Sequence, residues 1–218
     1  AIVHYLDEMG FDVLPIYVSS LKDTFCAELI KSTISKIKIS VILNATSFAA
    51  SKLDCEGRVF PFEEANCPVI QIILAGNDRE TWEQSSAGLS ARDIAMNVAL
   101  PEVDGRLISR AISFKSGAHY DALTECPIVT YDPHPDRIAF SCKLAANWAR
   151  LGFVSPNNKR VAIILSNYPN KDGRIGNGVG LDTPASAMNI LRAMKKSNYN
   201  IQNLPPNTES LMEQLIKG

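Results

Sequence analysis

The sequence predicts an α/β protein with a mostly parallel, doubly wound sheet, helices on both faces of that sheet, and two Rossmann-like lobes. Helix-like and strand-like segments alternate from the first residues onward, which is the order that βαβ units produce. Predominantly apolar runs at 39–43, 69–74 and 161–165 are typical of strands that are buried on both faces of a parallel sheet. We therefore expect at least one such sheet.

In the first lobe, apolar spacing predicts helices and strands in alternation. The expected helices span 1–9, 24–37, 79–86 and 91–96, and the expected strands span 13–18, 39–43, 69–74, a short stretch that ends at Pro101, and 107–114. Proline-rich residues 116–135 are expected to be irregular. Polar residues follow three of these strands, at 19–20, 44–47 and 76–78. We expect them to line the sheet edge where open α/β folds bind ligands.

The second lobe is expected to begin after a long helix. Phe140, Leu144, Trp148 and Leu151 recur at helical spacing. A strand at 161–165, a helix at 184–196 and a possible short strand at 199–204 then follow. The predicted division is a first lobe at 1–136, a bridging helix and linker at 137–158, and a truncated second lobe at 159–218.

Composition excludes several classes of protein. A net charge of −1 with 21% charged residues provides no basic face for nucleic acid. No apolar run is long enough for a membrane span, and we expect a cytoplasmic protein. The five cysteines form no C-x-x-C pair, and their odd number argues against a disulfide framework, so we expect reduced thiols in the core or at the surface. The chain lacks an initial methionine, and we interpret it as a fragment from the middle of a longer protein.

Residues 167–186 form a polar loop with glycine at positions 173, 176, 178 and 180. Glycines permit positive φ angles and a close approach of backbone to ligand. Asp182 or Thr183 is expected to cap a helix that starts with Pro184. Phosphate or nucleotide remains one possible ligand class, although the loop lacks the lysine and the spacing of a P-loop.

Two motifs together resemble one family closely. The stretch Leu100-Pro-Glu-Val-Asp-Gly105, followed by Asn167-Tyr-Pro169 and Gly176-Asn-Gly-Val-Gly-Leu-Asp-Thr-Pro184, resembles the large subunit of ATP-dependent metal chelatases. That family includes the cobaltochelatase subunit CobN and the H subunit of magnesium chelatase. The resemblance covers roughly residues 82–194. Ser109 and Arg110 stand where the magnesium branch typically carries glutamate and proline, which favours the cobalt branch.

The resemblance implies a metal-inserting function for the complete subunit. Cobalt, or possibly magnesium, would be inserted into a tetrapyrrole similar to hydrogenobyrinic acid diamide, in cobalamin biosynthesis. ATP would be hydrolysed by separate AAA+ partner subunits, in agreement with the missing P-loop. The fragment alone is expected to be inactive.

Carboxylates suit this chemistry because they bind divalent metals and accept protons. Glu102 is the first candidate for a catalytic and metal-binding carboxylate, and is expected to project from a strand-terminating turn. Asp104 is expected to close that turn through its own side chain. Asp182 is the second catalytic candidate, with a helix cap as the alternative. We expect Glu102 and the loop at 173–182 to face one cleft.

The remaining candidates would bind the ring or the metal. His134 is a further metal-ligand candidate, but neither it nor His119 has a partner at ligand spacing, so both are also compatible with no role. The expected substrate-binding residues are Asn167, Tyr168, Arg174, Gly176, Asn177 and Gly178.

Other functions stay open at this point. Within the family, the alternatives are the H subunit of magnesium chelatase or a paralogue that inserts another metal. Outside it, the chain is also compatible with a non-catalytic domain that docks a partner protein, or with a nucleotide-binding α/β enzyme.

Overall fold

The computed structural model describes residues 1–54, 57–116, 119–166, 176–178 and 180–217, with backbone only for 52–54, 57–59 and 119. These residues form two compact units, Ala1–Gly152 and Phe153–Gly218. The sequence-based division into lobes, with a bridging segment at 137–158, stays a prediction.

The first unit is built around a four-stranded sheet of β1 Ile42–Asn44, β4 Val69–Ala75, β5 Leu107–Lys115 and β8 Tyr131–Pro133, in that order. Strand β4 pairs in parallel with β1 and with β5, whereas β8 pairs antiparallel with the end of β5. Strand β4 is almost completely buried, as expected for a central parallel strand. The mostly parallel α/β fold is therefore confirmed.

Helices cover both faces of this sheet. Their bounds in the first unit are α1 Ile2–Glu8, α2 Thr24–Ile34, α3 Arg79–Gln84, α4 Ala91–Ile94, α5 Leu100–Val103 and α6 Pro135–Phe153. On one face, Ile72 and Ile112 pack with Leu6 of α1 and with Ile138 and Cys142 of α6. On the other face, Ile73, Ala111 and Phe114 pack with Trp82 of α3 and with Leu89 and Val98.

Two short antiparallel hairpins complete the first unit. They pair β2 Lys52–Asp54 with β3 Gly57–Val59, and β6 His119–Asp121 with β7 Cys126–Ile128. The segment 116–135 therefore contains β6, β7 and β8, and the prediction that it is irregular was wrong. Pro127 and Pro133 lie in short, exposed strands, where the missing N–H of proline is tolerated, and Pro135 begins α6.

Two other strand predictions in the first unit were also wrong. Residues 13–18 form no strand and pair with no strand among the described residues. Pro15 lacks the N–H that a ladder needs, and Tyr17 is 97% exposed. The stretch before Pro101 is helical: α4 continues into a π-helix at Ala95–Ala99 and then into α5. Proline is accepted there because it occupies the first turn of α5.

The second unit contains α7 Thr183–Lys196 and α8 Thr208–Lys217. Ala187 and Met188 of α7 pack with Leu211 of α8, and Leu165 lies against this cluster. The strands predicted at 161–165 and 199–204 are absent from the described residues. Ile164 is 91% exposed, because no described strand covers the face on which it lies.

No helix among the described residues combines the length and the apolar character that crossing a bilayer requires.

Candidate functional site

The motif at 100–105 lies on the chain segment that leads into β5, and not at the carboxyl end of a strand. In the π-helix, the Leu100 N–H bonds to the carbonyl of Ala95, five residues earlier. By the same spacing the Met96 carbonyl would pair with Pro101, which has no N–H. The N–H of Phe48 donates to the Met96 carbonyl instead, at 2.8 Å. Pro101 therefore creates the docking point for the loop at 44–51.

Asp104 fixes the other end of this loop. Its carboxylate accepts hydrogen bonds from the Ala50 N–H at 2.7 Å and from the Ser51 N–H at 3.0 Å. The Ser51 hydroxyl donates a further short bond to the same carboxylate. The expectation that this side chain closes its own turn was wrong, because backbone bonds from residues 104 and 105 to the carbonyls of 101 and 102 close the turn.

Arg106 joins this carboxylate to the sheet. One guanidinium nitrogen, Nη2, bonds to Asp104 Oδ2 at 2.7 Å, and both side chains are 0% exposed. The other, Nη1, donates to Gln71 Oε1 at 2.8 Å and to the Thr46 carbonyl at 3.2 Å. Gln71 also accepts from Asn44 Nδ2 at 2.7 Å. Arg106 Nε has no partner in the described residues. The motif therefore rests on a buried polar network.

The network shifts the pKa of both charged members. Burial is the largest influence on Asp104 and opposes its ionisation, but hydrogen bonds from Ser51 and Ala50, with the charge of Arg106, outweigh it and hold the pKa below its ordinary value. For Arg106, burial lowers the pKa and the attraction of Asp104 only partly compensates. Removal of one partner from a buried pair of this kind strongly destabilises the folded protein, because the other charge stays buried without a partner.

The polar residues that follow β1 and β4 are occupied in holding the fold. The Gly76 N–H donates to both oxygens of Asp93, at 3.1 and 3.0 Å. The Asp93 carboxylate also accepts from Ser90 at 2.9 Å and from Asn97 at 3.2 Å. Asp78 caps α3 through the Thr81 N–H at 2.8 Å. This edge was expected to bind a ligand, but these side chains serve as helix caps and strand anchors.

Glu102 lies on α5 with an exposed side chain. Its position on a helix differs from the expected strand end, but the carboxylate is accessible to a ligand. Its backbone carbonyl accepts the Gly105 N–H at 2.9 Å, and Gly105 takes a φ of 74°. Glu102 is thus an exposed acid on a short helix between the π-helix and the buried network.

His134 lies next to the opposite end of β5. Its N–H donates to the Ile112 carbonyl at 2.8 Å, and its own carbonyl accepts from the first turn of α6. The ring Nδ1 is buried without a partner in the described residues. Ile112 lies five residues from Leu107, the first residue of β5, which is about 17 Å at 3.3 Å per residue. The structure therefore does not bring His134 and Glu102 together. The described residues contain no group of three or more potential metal ligands.

In the glycine loop, Asn167, Tyr168 and Arg174 lie outside the described residues, and their predicted roles stay predictions. Gly176 takes a φ of 71° and packs near Met212. Gly178 faces the Thr183 hydroxyl, and the backbone of Asn177 accepts the Ser166 hydroxyl at 3.4 Å. The expected relation of this loop to Glu102 concerns two separate units and also stays a prediction.

Asp182 caps α7, because its carboxylate accepts the Ala185 N–H at 2.9 Å. The cap predicted from the sequence is confirmed. A catalytic role for the same carboxylate stays a prediction.

The second unit has an open groove of ≈ 250 Å³. Its lining includes the alternate residues Val161, Ile163 and Leu165 together with mainly aliphatic residues of α7 and α8. Typical small-molecule sites measure about 300–1,000 Å³ and contain several convergent polar groups. The groove is therefore a poor candidate for a large macrocycle with polar substituents.

Sequence reasoning missed the partners of the motif. Phe48, Ser51 and Arg106 were not singled out, although all three are tied to the segment 96–106. A charged residue directly before an apolar strand was the available signal for Arg106. No local pattern marked Phe48, whose position depends on a bond to a residue 48 positions later.

Comparison with known proteins identifies the family. A family model described as CobN/Magnesium Chelatase matches residues 1–218. The aerobic cobaltochelatase subunit CobN of a Sinorhizobium species is 43% identical over 100% of this chain and 17% of its own length. The chloroplastic magnesium-chelatase subunit ChlH of Oryza sativa subsp. indica is 26% identical over 99% of this chain and 15% of its own length.

A solved structure agrees with this result. The catalytic subunit of cobaltochelatase from Mycobacterium tuberculosis superposes with a TM-score of 0.79 at 31% identity, over 99% of this chain and 18% of that one. This chain therefore spans about a sixth of the length of the relatives it matches. The chain belongs to the CobN/magnesium chelatase family.

Proposed function

We propose that this chain is part of the metal-inserting subunit of a cobaltochelatase, which inserts cobalt into a corrin-ring precursor in cobalamin biosynthesis. The observation that carries the proposal is the difference in identity between the two branches of the family. The chain is 43% identical to a cobaltochelatase subunit along its whole length but 26% identical to a magnesium-chelatase subunit. Insertion of magnesium or another metal is the alternative outcome.

Metal insertion requires groups that remove water from the metal and accept two protons from the pyrrole nitrogens. Glu102 fits this task because its side chain is exposed and because a carboxylate can bind a divalent metal and pass on protons. The helix that carries it is anchored on one side by the Phe48–Met96 bond and on the other by the buried Asp104–Arg106 pair. A fixed backbone of this kind holds a catalytic side chain in a reproducible position.

The energy source is proposed to lie outside this chain. The glycine loop has no lysine at P-loop spacing, because its one lysine, Lys171, precedes the first glycine. ATP hydrolysis by separate AAA+ partner subunits would then drive the conformational work, and the 218 residues alone would be inactive. The ring is proposed to bind through the glycine loop, with Asn167, Tyr168 and Arg174 as its polar contacts.

Reconstitution tests the proposal. The parent subunit, supplied with its ATPase partners, ATP, cobalt and a corrin-ring precursor, should form the cobalt complex, as monitored by the absorbance of the ring. Omission of either ATP or the partners should abolish turnover. Turnover without ATP would refute the proposed division of labour, and no cobalt insertion under any condition would refute the function.

A variant pair isolates the proposed carboxylate. Glu102→Gln should keep ring affinity but lower the insertion rate at least about tenfold, or about 1.4 kcal/mol of transition-state stabilisation. Glu28→Gln is the matched control, because Glu28 is also an exposed helical glutamate and should leave the rate unchanged. An unchanged rate in Glu102→Gln would remove this residue from the mechanism.

A further inference from the structure

Phe48 has a backbone conformation that aromatic residues rarely adopt. Its φ is +65°, in the left-handed region, where a side chain crowds the following carbonyl. Five non-glycine residues among those described have positive φ, and three of them are Asn66, Asn198 and Asn203. Asparagine tolerates this region, whereas a bulky residue there is an outlier that calls for an explanation.

The conformation is imposed by the neighbouring helices. The Phe48 N–H is bound to the Met96 carbonyl at 2.8 Å, for which Pro101 has no donor. On either side, the Ser47 hydroxyl donates to Asn97 Oδ1 at 2.6 Å, and the Ala50 N–H donates to Asp104 at 2.7 Å. The loop is therefore tied to the helical segment at three successive points.

The aromatic ring of Phe48 is only partly buried by the described residues. Phe48 is 47% exposed, and none of the four buried apolar clusters includes it. The helical segment that holds the loop also exposes Ile94, Leu100 and Val103. A strained backbone that holds an exposed aromatic residue is typical of a site that contacts a ligand.

We propose that Phe48 is a stacking platform for the conjugated ring of the tetrapyrrole substrate. This inference rests on the proposed function, since the conjugated macrocycle is the ligand that the function supplies. Aromatic side chains bind flat conjugated systems through offset stacking, which needs a ring held at a fixed angle. The hydrogen bonds of the loop fix the backbone from which the Phe48 ring projects, and Glu102 lies on the helical segment to which the loop is tied.

The test uses the parent subunit and a metal-free tetrapyrrole, with affinity measured by quenching of ring fluorescence. Phe48→Asn keeps a side chain that tolerates the left-handed backbone but removes the aromatic ring, and should weaken binding about tenfold. Phe48→Tyr should restore affinity to within about twofold of the original. Phe25→Ala is the control, because Phe25 is 75% exposed on α2, and should bind normally.

The outcomes separate this inference from the proposed function. If the wild type binds the tetrapyrrole and Phe48→Asn binds it equally well, the stacking role alone is overturned. Absence of binding by the wild type would overturn the proposed substrate and the stacking role together. Loss of affinity in Phe48→Asn at an unchanged melting temperature would support the stacking role. An equal loss in Phe48→Tyr would overturn it, because that variant keeps the aromatic ring.

Discussion

Removal of the Asp104 carboxylate should destabilise the first unit severely. Asp104→Ala leaves Arg106, whose side chain is 0% exposed, without its only ionic partner among the described residues. It also leaves the N–H groups of Ala50 and Ser51 without their acceptor. Breaking a buried pair by removing one partner costs about 3–5 kcal/mol. This is a large share of the roughly 5–15 kcal/mol that stabilises a typical domain.

A double-mutant cycle tests the reasoning behind this number. Arg106→Met should cost less than Asp104→Ala, because it also removes the unpartnered Nε. The double variant should cost less than the sum of the single variants by about 1–3 kcal/mol, since the stranded charge is absent. Urea denaturation of the 218-residue chain, followed by circular dichroism, measures all four free energies of unfolding.

An exposed aspartate provides the control. Asp78 caps α3 from the surface, and loss of such a cap costs about 1 kcal/mol. If Asp104→Ala costs no more than Asp78→Ala, or if the two single changes at 104 and 106 simply add, the buried network does not stabilise the motif as described.

Two further predictions concern pH and nucleotides. The folded pKa of Asp104 lies below its ordinary value, so the stability that it contributes is complete above the unfolded pKa of about 3.9 and is lost as pH falls through the folded value. The stability difference between wild type and Asp104→Ala, measured by urea denaturation between about pH 6 and pH 2, should therefore shrink on acidification; a constant difference would contradict the assignment. Tight ATP binding is not expected, because no lysine follows the glycines at P-loop spacing. Calorimetry that gave micromolar affinity for this chain would instead support a nucleotide-binding enzyme.

Local patterns predicted the central sheet and most helices correctly. The runs at 69–74 and 107–114 became β4 and β5 because both are central strands whose apolar side chains pack against helices on either face. The cap at Asp182 was also predictable, since capping depends on residues within one turn.

The errors arose where long-range contacts decide the local structure. The run at 161–165 is as apolar as a central strand, yet apolarity does not supply a neighbouring strand. The segment before Pro101 was assigned to a strand because its proline was interpreted as a stop signal, whereas Pro101 lies in the first turn of α5. The role of Asp104 depends on residues 50 and 51, which are more than 50 positions away in sequence.

The sequence located much of the candidate site, but it did not show what each of its residues does. The motif at 100–105 marked the right segment, and the structure adds the buried Arg106 and the strained Phe48 that no spacing rule indicates. Glu102 was selected for its chemistry, and its exposed position on α5 is compatible with that choice. The substrate-binding roles of the glycine loop stay predictions.

Competition between metals tests the central claim most directly. The parent subunit, with the proposed ATPase partners and ATP, is given equal concentrations of cobalt and magnesium, once with a corrin-ring precursor and once with protoporphyrin. The account predicts ATP-dependent formation of the cobalt corrin complex and little magnesium porphyrin. Preferential insertion of magnesium into protoporphyrin would contradict it and assign the chain to the other branch of the family.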